Sequence, residues 1–545
     1  MYKLNFSLFG LLVVAGLAAC SDPLNVQNIN NPDRSRIYSR PADLEGLISD
    51  SYRQWHQGTV GGSDYSIPSQ ARAWSWENAS GLANWGMGLR ASIPRVFIDN
   101  SRGNQTQQEN LKDFNATQRS ARAAADGINR ISVGKVSLGS AAQDARAQAF
   151  AWFVLGISQG ATALIYDSAA IIDPYAELTA IPDLTGYKEI AAAALVDLDS
   201  ALKWTTAATT AGGANGFPLP SGWINGNALT AADFTKLIRS WKAVIRANVA
   251  RDPTERAAVD WTQVRDDAAA GITADLYITT VTSPSWSITL NQAYLYGGWH
   301  QAAQFLIGMA DSTGAYDAFL AAPYAAKTMF LVQTADRRFP PGATRAAQQA
   351  ASPALPPAGR YFRNRTGLDN PADNYQTSMY DWYRPQAWYN ANQLGPYPVF
   401  LKAQNDLLRA EALIRLGDIP GAATLIDISR TAAGLPALSG VITTAAQTVP
   451  GGAACVPRVP QPPSYTSAGC GTIMEAMKWE YRMETMYTNY CLFYISGRGW
   501  GDLPEGTATS WPVPYQELDT RNHPIYNLGG VGKTGGSVGK GTYGL

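Results

Sequence analysis

From about residue 40 onward, apolar residues recur three and four positions apart over long blocks, the period of an amphipathic helix. The blocks predict helices over 42–54, 110–131, 141–166, 187–204, 231–250, 261–270, 399–416, 420–433 and 472–496, and these tend to come in pairs. Strand-like alternation is scarce. The intervening stretches, about 275–300, 340–398, 437–471 and 500–545, read as irregular and hold many of the aromatics and prolines. A mainly α protein is therefore expected, a helical scaffold carrying long loops of the kind that often bear function.

The N-terminus follows a different pattern. One cation, Lys3, precedes an apolar or small run from Phe6 through Ala19 that ends in Leu17-Ala18-Ala19-Cys20. A membrane span needs roughly 20 apolar residues, whereas a cleaved signal peptide needs about 7–15 and small residues at the cut. Residues 1–19 fit the second description. Leu-Ala-Ala-Cys also resembles the bacterial lipobox, which makes Cys20 the expected lipid attachment point, and Ser21 resembles an outer-membrane sorting residue. Residues 20–35, rich in Asn and broken by Pro23 and Pro32, read as a flexible tether. No later segment reads as long and apolar enough to span a bilayer, so lipid alone is expected to hold the chain at the membrane.

Composition narrows the chemistry. With formal net charge zero and 16% charged residues, the chain lacks the basic footprint that phosphate backbones demand, which argues against nucleic acid. Cys455 and Cys470 flank a Pro-rich loop in an oxidising compartment and are expected to pair, leaving Cys491 as a buried thiol. His56, His300 and His523 are too scattered for a metal or triad site, and no cofactor is expected. Residues 527–534 nearly spell a phosphate-binding loop but have Asn527 where the first glycine belongs and no strand and helix to frame them. Asp369, Asp373 and Asn374 do not match a calcium loop.

One helix pair aligns with a tetratricopeptide repeat. Ala410, Leu413, Gly417-Asp418, Ala422 and Ile426 fall at its spacings, with Gly417 suited to a left-handed C-cap and Pro420 to opening the second helix. A generic helical hairpin satisfies the same small-residue pattern. Further motifs then fall in a recognisable order. They are Arg146-Ala147 with Trp152-Phe153, Asp197-Leu198 with Ala201, Asp336-Arg337 before a loop, Arg409-Ala410-Glu411-Ala412, Arg430 with Ala433-Gly434-Leu435, Glu480 with Arg482 and Glu484, and Pro512-Val513-Pro514 with Glu517-Leu518. This order resembles the SusD/RagB family of outer-membrane nutrient-binding lipoproteins over nearly the whole mature chain. The departures are Tyr481 for an arginine, Thr488-Asn489 for Glu-Gly, displaced Arg498 and Asp502-Leu503, and a late Asn522.

The resemblance implies a SusD-like helical solenoid with tetratricopeptide-type pairs, an N-terminal helical region at 36–290 and a C-terminal region at 291–545. It also implies a shallow glycan site and a lid-like association with a TonB-dependent outer-membrane barrel of the SusC type, the protein facing the cell exterior. The residues themselves read more simply. Glu480 and Glu484 share a helix face and are expected to brace the C-terminal loops.

Tyr and Trp number 26 and 16 against 15 Phe, so the aromatics favour rings with a polar handle. Such rings suit surfaces half wet and half apolar, as a sugar's C–H face and hydroxyl rim require. Trp74, Trp76, Trp85, Trp286, Tyr294, Tyr296, Trp299, Trp382 and Trp388 fall in expected loops and are candidate contacts for an oligosaccharide or peptide. Two rival readings remain. A glycoside hydrolase would use carboxylates such as Glu77, Asp311 or Asp381, and a scaffold lipoprotein of envelope assembly would use its helical groove for protein.

Overall fold

A helix that is apolar on every side must be buried on every side, and the chain is built around one. The computed structural model describes residues 40–61, 66–79, 87–104, 108–177, 181–212, 216–282, 286–288, 301–351, 361–366, 378–532 and 539–545. Its principal helices are α1 (Pro41–Gly58), α2 (Ile67–Trp74), α3 (Gln108–Ser132), α4 (Ala141–Ile165), α5 (Tyr187–Ala211), α6 (Ala231–Asn248), α7 (Trp261–Ala269), α8 (Gln386–Asn390), α9 (Lys402–Leu416), α10 (Ile419–Ala432), α11 (Ile473–Thr485) and α12 (Leu492–Trp500). Helix α4 has the length and apolarity of a membrane span, contrary to the expectation that no later segment would, and its apolar stretch is wholly buried within the protein. It is a core helix.

Small residues let its neighbours approach. A Cβ on Gly160 would lie 2.4 Å from Cδ1 of Ile245 on α6, and one on Gly156 would lie 2.8 Å from Leu198 on α5. Several polar groups of α4 reach its neighbours: Gln159 donates to Asp197 at 2.6 Å and accepts from the Ile172 amide, while Ser158 and Thr162 bond Ser120 and Thr117 on α3. Ser140 caps the N-terminus through the Gln143 amide. At the other end Arg251 donates to the carbonyls of Ala163, Leu164 and Tyr166, and Arg498 to that of Leu164. Two buried cations thus satisfy the orphan carbonyls at the negative end of the helix. Burial, then the neighbouring Arg498, lowers Arg251 to about 9.

Helix α4 packs on α1, α3, α5 and α6, and the stack continues through α7 to α9, α10 and α11. The α9–α10 hairpin has the expected tetratricopeptide form. Gly417 adopts φ of 87° with its amide on the Ile414 carbonyl, Asp418 caps α10 through the Gly421 amide, and Pro420 sits in the first turn. Ala410, Ala422 and Ile426 are fully buried where the helices cross. A second core, around Phe305, Phe339, Phe362 and Trp479, fills the C-terminal part.

Strands are short. The described residues hold four antiparallel pairs: β1 (Ser168–Ala170) with β2 (Leu184–Gly186), β3 (Leu276–Thr280) with β6 (Gly395–Phe400), β4 (Phe362–Asn364) with β5 (Tyr380–Trp382), and β7 (Arg458–Pro460) with β8 (Ala468–Cys470). Cys455 and Cys470 form a disulfide, Cα atoms 5.7 Å apart, beside the last pair. Cys491 is a free buried thiol that burial pushes well above its ordinary range.

The single helix expected over 472–496 is two. The chain turns between α11 and α12, with Tyr487, Asn489 and Cys491 all at positive φ, a conformation no helical period reveals. The acidic face of α11 is held by Arg338 rather than Arg337. The Arg338 guanidinium bonds Asp336 at 2.7 Å and Glu480 at 2.8 Å and lies 3.6 Å from Glu484, whereas Arg337 reaches the Ala432 carbonyl.

Candidate functional site

Strand β3 reads Leu-Tyr-Ile-Thr-Thr, alternating buried and exposed, so Ile278 enters the core while Tyr277 points out, 42% exposed. Its partner β6 has the prolines Pro396 and Pro398 opposite Thr279 and Tyr277. A proline donates no ladder hydrogen bond, which suits this narrow two-stranded edge. Phenol and pyrrolidine rings therefore share one outward face.

Helix α8 packs on the other, buried face of the pair, where Tyr397 lies opposite Ile278. Trp388 packs on Tyr397 with ring centroids 4.6 Å apart and donates its indole N–H to the Thr280 hydroxyl at 2.8 Å. Thr280 in turn donates toward the Gln393 and Gly395 carbonyls, 2.7 and 2.8 Å away, in a turn that holds Asn392 and Gln393 at positive φ. Trp382 at the end of β5 packs edge-on against Tyr361, 5.4 Å between centroids. Arg384 lies over the same Tyr361 ring at 4.3 Å and donates to the Glu484 carbonyl at 3.0 Å. Met486 and Thr488, from the α11–α12 elbow, complete the wall.

The result is a cavity of about 440 Å³ lined by Tyr277, Trp382, Trp388, Tyr397, three prolines and Arg384, with no carboxylate among the lining residues. Its volume falls within the range of small-molecule sites. It offers the exposed Tyr277 ring, the proline surface and the Arg384 guanidinium, while Trp382, Trp388 and Tyr397 are more than nine-tenths buried, and its lining holds no acid–base pair of the kind glycoside hydrolysis needs.

Of the aromatics singled out by sequence, Trp382 and Trp388 meet in this cavity. Trp74, Trp76 and Trp286 do not, and they are core residues rather than exposed loop rings. Trp74 ends α2, every residue of which is buried, and packs 5.0 Å from Trp511 with Arg90 over its face. Trp76 lies on Phe305 at 5.0 Å, and Trp286 lies 5.4 Å from the buried His56. An indole removes so much apolar area from water that core packing outcompetes display wherever a partner is in reach. Trp85, Tyr294, Tyr296 and Trp299 lie outside the described residues, as do Cys20, His300 and the Asp369, Asp373 and Asn374 group.

The carboxylates considered for hydrolysis are buried and engaged. Glu77 accepts from the Tyr487 amide and pairs with Arg72, Asp311 accepts from Thr313, and Asp381 pairs with Arg363 at 2.8 Å. Burial raises the Glu77 carboxyl, with Arg72 and the Tyr487 amide opposing. Sequence reasoning passed over Tyr277, Tyr397, Arg384 and the prolines. The available signal was the alternation of residues 276–280, inside a stretch that reads as irregular.

No family model matches the sequence, and no curated protein matches it. Solved structures do. A SusD homologue from Parabacteroides distasonis superposes with a TM-score of 0.55 at 11% identity, over 88% of this chain and 93% of that one. A SusD superfamily protein from Bacteroides vulgatus gives 0.52 at 11%, over 86% and 89%, and one from Bacteroides thetaiotaomicron gives 0.51 at 10%, over 88% and 97%. Likeness at such low identity speaks for the backbone alone, and it runs nearly end to end: this chain has the SusD fold.

Proposed function

We propose that the protein is a lipid-anchored, outward-facing binding protein of the outer membrane that captures an oligosaccharide and delivers it to a TonB-dependent transporter. The observation that carries the reading is the aromatic cavity. Tyr277 presents an exposed phenol at a cavity whose lining also includes the largely buried rings of Trp388 and Tyr397. A pyranose ring placed there meets apolar faces with its C–H groups and edge donors with its hydroxyls. Trp85, Tyr294, Tyr296 and Trp299 are further candidate contacts. The ring-lined wall also admits a peptide, so both ligand classes belong in the test.

The chain from residue 21 onward, titrated with oligosaccharide and peptide panels, is expected to bind a saccharide saturably and without turnover. Tyr277→Ala is expected to weaken that binding at least tenfold while leaving the melting temperature unchanged. Product formation would favour the hydrolase, and absence of any ligand would favour the scaffold.

Delivery requires a partner surface. Leu89, Phe97, Tyr324 and Val531 are each more than two-fifths exposed and border one loop, where Tyr324 bonds the Ile93 carbonyl and the Val531 amide the Arg95 carbonyl. Arg95 itself is buried beneath, against the Trp74 carbonyl and the Trp76 ring, so the loop is firmly held. We assign the transporter contact to this face. Phe97→Asp is expected to abolish co-purification with the transporter while sparing saccharide binding; retention of both would remove the assignment.

A further inference from the structure

A larger cavity lies elsewhere, at about 830 Å³, and shares no lining residue with the aromatic one. Asp167 before β1, Tyr187 at the head of α5, and Arg251, Asp252 and Glu255 after α6 form one side. Tyr465, Thr509, Ser510 and the tail from Gly539 to Thr542 form the other. Its lining is more polar than that of the first and includes carboxylates, cations, phenols and hydroxyls alongside Pro253 and Leu528.

The carboxylates are held in place. Both oxygens of Asp167 face the Tyr526 hydroxyl, at 2.9 and 2.8 Å. Glu255 accepts from Tyr187, Lys188 and the Arg251 amide, each at 2.7 Å. One oxygen of Asp252 caps the helix Pro253–Ala257 through the Glu255 amide at 2.8 Å. The Tyr187 ring is pinned flat by the Arg251 guanidinium 4.3 Å away. The wall is thus preorganised, with capacity left over. The second Asp252 oxygen, the hydroxyls of Tyr465, Thr509 and Ser510, and the Lys540 ammonium have no protein partner among the described residues.

The mixture selects a ligand class. An anion would face Asp167, Asp252 and Glu255, and a cation would face Arg251 and Lys540, each at an electrostatic cost. A neutral polyol meets neither penalty. Every hydroxyl both donates and accepts, so it suits a wall that carries both donors and acceptors, while phenol rings can cover its C–H faces. We infer that this cavity is a second, polar saccharide site taking a neutral, hydroxyl-rich sugar unit, separate from the aromatic cavity and independent of it in its contacts.

The test titrates the chain from residue 21 with maltohexaose, cellohexaose, xylohexaose and chitohexaose by calorimetry, in the parent, in Tyr277→Ala, and in Asp252→Asn with Lys540→Ala. Asparagine preserves the helix cap and Lys540 is exposed, so the double variant keeps the fold, which its melting curve verifies. For at least one sugar, the double variant is expected to lose tenfold or more in an affinity that Tyr277→Ala leaves intact. Binding sensitive only to Tyr277 overturns this site and leaves the proposed function standing. Binding sensitive only to the double variant supports this site and displaces the aromatic cavity as the place of capture. No binding of any of the four sugars overturns the second site.

Discussion

Arg338→Met tests the electrostatic brace of the C-terminal half. The guanidinium bonds Asp336 through Nε and Nη2, at 2.9 and 2.7 Å, and Glu480 through Nη1 at 2.8 Å. All three side chains are essentially inaccessible to water. Glu480 also accepts from Ser429 on α10 at 3.0 Å, so the loop, α10 and α11 meet at one cation. Methionine keeps the apolar stem and removes every donor. Taking one partner from a buried pair costs about 3–5 kcal/mol, and hydrogen bonds to charged groups are worth about 1.5–3 kcal/mol each but are not additive. The expected loss is therefore about 4 kcal/mol near neutral pH, out of a total stability of roughly 5–15 kcal/mol.

The pH dependence carries a sign. Burial raises the Glu480 carboxyl, with Arg338 pulling it back down. Without Arg338 it rises further. A carboxyl raised in the folded state contributes stability that is present at low pH and lost as pH rises through its folded value. The deficit of Arg338→Met, read from urea midpoints, must therefore be larger at about pH 8 than at about pH 5. A deficit below about 1 kcal/mol, or one that shrinks toward pH 8, refutes the reasoning. The exposed Arg102–Asp519 pair serves as the comparison, since Arg102→Ala should leave the midpoint where it was.

Three other outcomes follow from buried groups. Burial pushes Asp113 up to about 8 against the opposing Tyr490 hydrogen bond, so its stabilising contribution is complete below about pH 4 and disappears as pH rises through 8. Asp113→Asn keeps an acceptor for Tyr490 and should melt higher than the parent at pH 8 but not at pH 4, by circular dichroism. Gly160→Val places a branched side chain where even a Cβ would lie 2.4 Å from Ile245. It should cost about 1–3 kcal/mol, partly recovered by Ile245→Ala in the same chain. Replacing Cys455 and Cys470 together by serine, which opens a loop with a sequence separation of 15, should lower stability by about 3 kcal/mol in denaturant titration.

What the sequence discloses follows the range of the interactions concerned. The α9–α10 hairpin is readable because Gly417, Asp418 and Pro420 act within one turn of themselves. The shared face of Glu480 and Glu484 is readable for the same reason, being a matter of helical period. Arg338, the partner that gives that face its purpose, lies 142 positions away and leaves no local trace. The misplacement of Trp74 has the same origin. Its burial is set by Tyr494 and Trp511, contributed by distant segments, and an indole bound for a core looks no different in sequence from one bound for a ligand.

The elbow between α11 and α12 shows why the site itself was the least legible part. Tyr487, Asn489 and Cys491 occupy a backbone region that costs a side-chain-bearing residue roughly 1–2 kcal/mol each. The turn persists because distant groups hold it: the Glu77 carboxylate accepts the Tyr487 amide, Tyr397 donates to the Tyr487 carbonyl at 3.1 Å, and Asn489 donates to Gln404 at 3.2 Å. Those contacts have a consequence for the cavity. Tyr397 lines it from β6 while Met486 and Thr488 line it from the elbow, so the hydrogen bond from Tyr397 ties the two walls together. The strain of the elbow is thereby coupled to the shape of the aromatic pocket. Tyr397→Phe keeps the ring against Trp388 and removes that tie alone. It should leave the stacking surface intact yet weaken saccharide binding several-fold by loosening the wall, and crystals of the variant should show the elbow displaced. Unchanged affinity with a displaced elbow would show that the pocket does not depend on it.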